Sequence, residues 1–126
     1  MASFEIEGGY RLRGSITPQG AKNEALQVIC AVLLTSEKVV IENVPDIRDV
    51  NKLIELLQLL GVKVSCTYQD ADSRTFEFQA DEVSLAALES PDYSQQATAL
   101  RGSLMLLGPL LARFGYALVP QPGGDP

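Results

Sequence analysis

One glycine marks a change of hydrophobic period that few folds accommodate. Before Gly61, the residues Ile47, Val50, Leu53, Ile54, Leu57 and Leu60 share one helical face; after it, Val62, Val64 and Cys66 alternate with polar neighbours. The spacing predicts a helix passing straight into a strand, with Gly61 as its left-handed C-terminal residue. Asp46 is the expected N-cap, and Asp49 lies in the first turn, where the helix dipole favours negative charge.

The same alternation of elements runs along the rest of the chain. Phe4, Ile6, Tyr10, Leu12, Gly14 and Ile16 read as two short strands or one bent strand across Gly8-Gly9. After the turn Thr17-Pro18-Gln19-Gly20, Ala25, Val28, Ile29, Val32 and Leu33 form a helical stripe. Val39, Val40 and Ile41 make a short strand closed by Asn43-Val44-Pro45, and Asp70 to Arg74 is a polar turn that pairs Phe76 and Phe78 back as a hairpin. A third helix is expected from about Ser94 to Phe114, kinked or broken at Gly108-Pro109 and closed by Gly115. Tyr116 to Val119 would be a last strand before an irregular Pro- and Gly-rich loop. The order predicts an α/β domain, with helices packed on a sheet of mixed direction. Leu33-Leu34, Val39, Ile41 and Pro45 recur at one offset as Leu110-Leu111, Tyr116, Leu118 and Pro122, so a supersecondary unit is expected to repeat. The chain stops within the second unit and so reads as a fragment.

Its 126 residues suit one domain, and 46% apolar with 21% charged residues excludes a disordered chain. A net charge of −6 argues against nucleic acid as a partner. With no His, triads that use imidazole and imidazole metal sites are excluded, leaving carboxylates, Lys, Tyr or Cys for proton transfer. Cys30 and Cys66 lie in apolar stretches without CxxC spacing and read as buried free thiols of a reducing cytoplasm. No apolar run is long enough to span a bilayer, so no membrane partner is expected.

Three places carry chemistry. Gly20-Ala21-Lys22-Asn23 stands between a turn and a helix, where free N–H groups, the dipole and the Lys22 charge suit an anion; a solvated Lys with a capping Asn is the plainer alternative. Arg101, among Ala97, Ala99, Leu100, Gly102 and Leu104, either reaches solvent or is aimed at an anion. Gly123-Gly124-Asp125 is a plain turn or a flexible tip bearing a proton donor. Asp46, Asp49 and Glu24 read as helix N-terminal charges, and Asp70, Asp72, Asp81 and Glu82 as a solvated face.

Taken in order, Leu12-Arg13-Gly14, Gly20-Ala21-Lys22-Asn23, Ile41-Glu42-Asn43-Val44-Pro45, Leu59-Leu60-Gly61, Leu100-Arg101-Gly102-Ser103, the run Leu107 to Gly115, and Pro122-Gly123-Gly124 closely resemble the UDP-N-acetylglucosamine enolpyruvyl transferases (1-carboxyvinyltransferases). EPSP synthase of the shikimate pathway, which shares their fold, is one alternative, disfavoured because its active-site segments read differently from Gly20-Ala21-Lys22-Asn23 and the Pro-Gly-Gly loop. The resemblance implies repeated β/α units of the inside-out α/β barrel fold. It implies transfer of the enolpyruvyl group of phosphoenolpyruvate to the 3-hydroxyl of UDP-N-acetylglucosamine with phosphate release, the first committed step of peptidoglycan synthesis, with no metal or organic cofactor.

Residues 1–20 would be a strand segment that packs with the other half of the protein, and 21–126 a truncated half-domain. Without its partner, the first segment would be mobile or paired with a second molecule. Lys22 and Asn23 match the pair that holds phosphoenolpyruvate, and Arg101 matches a substrate-site arginine. Asp125 stands where most members carry the Cys that acts as general acid, so the full-length enzyme is expected to resist the thiol-alkylating antibiotic fosfomycin. The 126 residues alone are expected to show no turnover. A non-catalytic module that binds a nucleotide sugar or a partner protein is the other alternative.

Overall fold

The computed structural model describes residues 2–121. Three strands, β1 (Lys38–Val44), β2 (Lys63–Gln69) and β3 (Arg74–Gln79), form one sheet in the order β1-β3-β2. Four helices surround it: α1 (Lys22–Cys30), α2 (Arg48–Leu59), α3 (Pro91–Thr98) and α4 (Leu107–Phe114), with 3₁₀ turns at Ala31–Leu34, Leu85–Glu89 and Arg101–Leu106.

The change of period at Gly61 is realised as expected. α2 buries Val50, Leu53, Ile54, Leu56 and Leu57; Gly61 takes φ +97, and Val62 and β2 follow. α2 thereby joins β1 to a strand running the same way, and β3 inserts between them antiparallel to both. Every neighbouring pair is therefore antiparallel, where a mixed sheet was expected. The tight hairpin at Asp70–Ser73 is the reason: its turn places β3, rather than β1, beside β2. Asp70 closes the turn by accepting from the amides of Asp72 and Ser73, each at 2.8 Å. β3 is central and alternates strictly, turning Arg74, Phe76 and Phe78 into the core.

Other expectations are corrected by packing. Residues 2–21 contain no strand: Phe4, Ile6, Tyr10, Leu12 and Ile16 are all exposed, and no described strand pairs with their backbone. Residues 116–119 likewise form no strand. The long third helix is two helices, interrupted at Ala99–Leu106 rather than at Gly108-Pro109. Pro109 falls in the first turn of α4, where a missing N–H costs no helical bond. Gly115 closes α4 at φ +68 as expected.

Of the stripe expected here, Ala25, Ile29, Val32 and Leu33 are buried, joined by Leu26 and Cys30, while Val28 is exposed. Burial pushes the Cys30 thiol up to about 12. Cys66, by contrast, is exposed. No helix among the described residues is long and apolar enough to cross a membrane.

Candidate active site

The starts of α1 and α2 and the 3₁₀ turn Arg101–Leu106 converge on a cleft of about 400 Å³. Lys22, Asn23, Leu26, Gln27, Asp49, Arg101, Gly102, Leu104 and Met105 line it. Three of the four expected site residues, Lys22, Asn23 and Arg101, are thus brought together although Arg101 is remote from the other two in sequence. Asp125, with Gly123 and Gly124, lies outside the described residues.

Two glycines make this convergence possible. A Cβ on Gly20 would overlap the carbonyl oxygen of Asn43; glycine lets the chain press on the end of β1 before turning into α1. Lys22 and Asn23 are then the first residues of α1, and no side chain caps that end, so Asn23 is not a cap. At Gly102 a Cβ would stand 3.3 Å from Leu26 Cδ1, so the bare backbone brings the turn close to α1. Buried Ser103 fixes that turn by donating from Oγ to the Ala97 carbonyl at 2.8 Å. Arg101, at the start of the turn, therefore faces the same cleft as Lys22.

The lining carries two cations, Lys22 and Arg101, and one carboxylate, Asp49. Lys22 Nζ donates to Asp49 Oδ2 at 2.9 Å, and the two side chains are 45% and 41% exposed. This hydrogen bond holds the Asp49 carboxyl below its ordinary value, against the opposing effect of burial; Lys52 and Arg48 reinforce it. Exposed pairs of this kind contribute about 0–1 kcal/mol to stability. A net positive cleft on an acidic chain, beside an uncapped helix start, suits an anionic ligand.

Sequence reasoning missed Asp49 as a cleft residue, because its dipole position explains it locally and nothing near it points to Lys22. Asp46 is not the N-cap. That position is Ile47, without a side-chain bond, and Asp46 accepts from Asn51 Nδ2 at 2.8 Å. Arg74, read as part of a polar turn, is buried. Its Nη2 donates to the Pro45 carbonyl and to Asn51 Oδ1, each at 2.7 Å, fixing the entry to α2. Its guanidinium also lies 5.0 Å from the centroid of the Phe76 ring. Arg113 donates to the carbonyls of Leu33 and Thr35 at 3.0 and 2.9 Å, tying α4 to the end of the segment that begins with Lys22.

The model of the EPSP synthase (3-phosphoshikimate 1-carboxyvinyltransferase) family matches residues 6–125. The chain is 56% identical over 125 residues to a UDP-N-acetylglucosamine 1-carboxyvinyltransferase of Bacteroides thetaiotaomicron, covering 99% of this chain and 28% of that protein. It is 55% identical to the protein of the same name from Porphyromonas gingivalis, again over 99% of this chain and 28% of the relative. The chain thus spans little more than a quarter of the length of these curated relatives. The crystal structure of the enolpyruvyl transferase NikO from Streptomyces tendae superposes with a TM-score of 0.63 at 30% identity, covering 86% of this chain and 23% of that one. The chain belongs to the EPSP synthase (3-phosphoshikimate 1-carboxyvinyltransferase) family, and within it corresponds to the N-terminal region of the UDP-N-acetylglucosamine 1-carboxyvinyltransferases.

Proposed function

We propose that this chain supplies one wall of the active site of a cytoplasmic UDP-N-acetylglucosamine 1-carboxyvinyltransferase of peptidoglycan synthesis. The observation that carries this reading is the meeting of Lys22, Asn23 and Arg101 in one cleft of net positive charge. Lys22 and the start of α1 neutralise the phosphate and carboxylate of phosphoenolpyruvate and the charge that develops as the double bond is attacked. Asn23 supplies an amide that both donates and accepts. Arg101 offers a planar fork to the anionic groups of the substrates.

The sugar 3-hydroxyl oxygen adds to C2 of phosphoenolpyruvate, giving up its proton to a base in the rest of the longer protein, while a proton reaches the methylene carbon. Loss of phosphate and of a methyl proton then restores the double bond. Asp125 is the proton donor in this scheme, a role that requires its carboxyl to be protonated when the substrates are bound. Residues 1–20 pack with the rest of the longer protein, and 21–126 form part of one half of it.

The test is phosphate release by the full-length gene product supplied with phosphoenolpyruvate. Release should require UDP-N-acetylglucosamine, and the 126 residues alone should give none. Release that depends on 3-phosphoshikimate instead would assign the chain to EPSP synthase, the activity for which the matched family is named. Release with neither acceptor would remove the proposal.

A further inference from the structure

An anion site containing its own carboxylate needs explanation. Asp49 lines the same cleft as Asn23 and Arg101, and its partner there is Lys22, at 2.9 Å. A phosphate arriving at Lys22 therefore meets a negative charge already in place. We propose that Asp49 is the resident counter-ion of this cleft, holding the Lys22 ammonium in position until an anionic substrate group displaces it. Asp49 is a positioning residue in this role, and the inference rests on the reading of the cleft as a phosphoenolpyruvate site.

Three observations support the exchange. The pair is nearly half exposed on both sides, so water and ligand reach it and it opens easily. Asp49 sits in the first turn of α2, whose entry is pinned by the buried Arg74 through Pro45 and Asn51. The carboxylate is therefore anchored, while the long Lys22 side chain is free to swing between partners. Arg48 and Lys52 act on the same carboxylate, so Asp49 keeps compensating charge when Lys22 turns to a ligand. The pair thus keeps the ammonium near the start of α1 and also competes with the ligand for it.

The experiment uses the full-length gene product and its Asp49→Asn variant, which keeps the side-chain shape at an exposed position. Inorganic phosphate binding, read by titration, should tighten about fivefold in the variant at low ionic strength, because a nearby like charge is gone. Acylation of Lys22 by an amine-reactive ester, read by peptide mass spectrometry, should be several-fold faster in the variant. Unchanged or weaker phosphate binding, or an unchanged acylation rate at Lys22, overturns the counter-ion role. Phosphate should also protect Lys22 of the wild type from acylation. Absence of that protection removes the substrate-site reading and this inference with it, even if Asp49 does restrain Lys22.

Discussion

α2 anchors two basic residues at its N-terminal end, and the protein treats them oppositely. Arg74 is 8% exposed and spends its guanidinium on a backbone carbonyl, an amide oxygen and an aromatic face, with the Asp46 carboxylate farther off at 3.6 Å. Lys22 is 45% exposed and has one carboxylate partner at the mouth of a cleft. A buried guanidinium must be matched by fixed acceptors or it destabilises the fold; an exposed ammonium has no such obligation. The first is thus committed to structure, and the second remains available to a ligand. Position in the fold, rather than residue type, separates a cation committed to structure from one left open to a ligand here.

The comparison breaks if Lys22 turns out to be structural. In the full-length gene product, Lys22→Gln should lower kcat/KM for phosphoenolpyruvate by about 10²–10³, the usual loss when one group stabilising transition-state charge is removed. Its melting temperature should hardly move. Arg74→Met should do the reverse: about 2–4 kcal/mol of stability lost in urea unfolding, because the Pro45 and Asn51 acceptors are left buried without their donor. Comparable losses of stability in both variants would erase the distinction.

The parts of this contrast visible in the sequence are those with local causes. The α2 face, Gly61, the Asp70 turn and the closure of α4 at Gly115 each follow from a spacing or a turn residue close by. Lys22 and Asn23 stood out because they open a helix after a glycine, and Arg101 because its neighbours are small and apolar. Arg74 looked like part of a solvated turn. Its burial depends on β3 becoming the central strand, a long-range pairing with no signature within the hairpin itself. Asp49 was hidden for the opposite reason, since a first-turn aspartate needs no distant partner to explain it. The strands expected around Phe4–Ile16 and at Tyr116–Val119 show the limit of alternation: period two marks a chain able to form a strand, and a neighbour is needed to make it one.

The smallest effect separates the two cations by pH alone. The Asp49 carboxyl is held below its ordinary value of 3.8 in the folded protein, chiefly by its hydrogen bond to Lys22. A depressed carboxylate pKa contributes stability that is complete above the unfolded value and is lost as pH falls through the folded one. Unfolding of wild type and Asp49→Asn should therefore differ by less than about 1 kcal/mol above pH ~5, as expected of a half-exposed pair, and converge as pH drops below 3.8. Arg74 makes its two shortest hydrogen bonds to uncharged acceptors, which do not titrate, and the carboxylate beside it, Asp46 at 3.6 Å, is 61% exposed and so adds little that acid could remove. The gap between wild type and Arg74→Met should accordingly persist through the same acid range. If the Asp49→Asn gap also persisted there, the Lys22–Asp49 attraction would not be its source, and the carboxylate would have to act through packing of α2 instead.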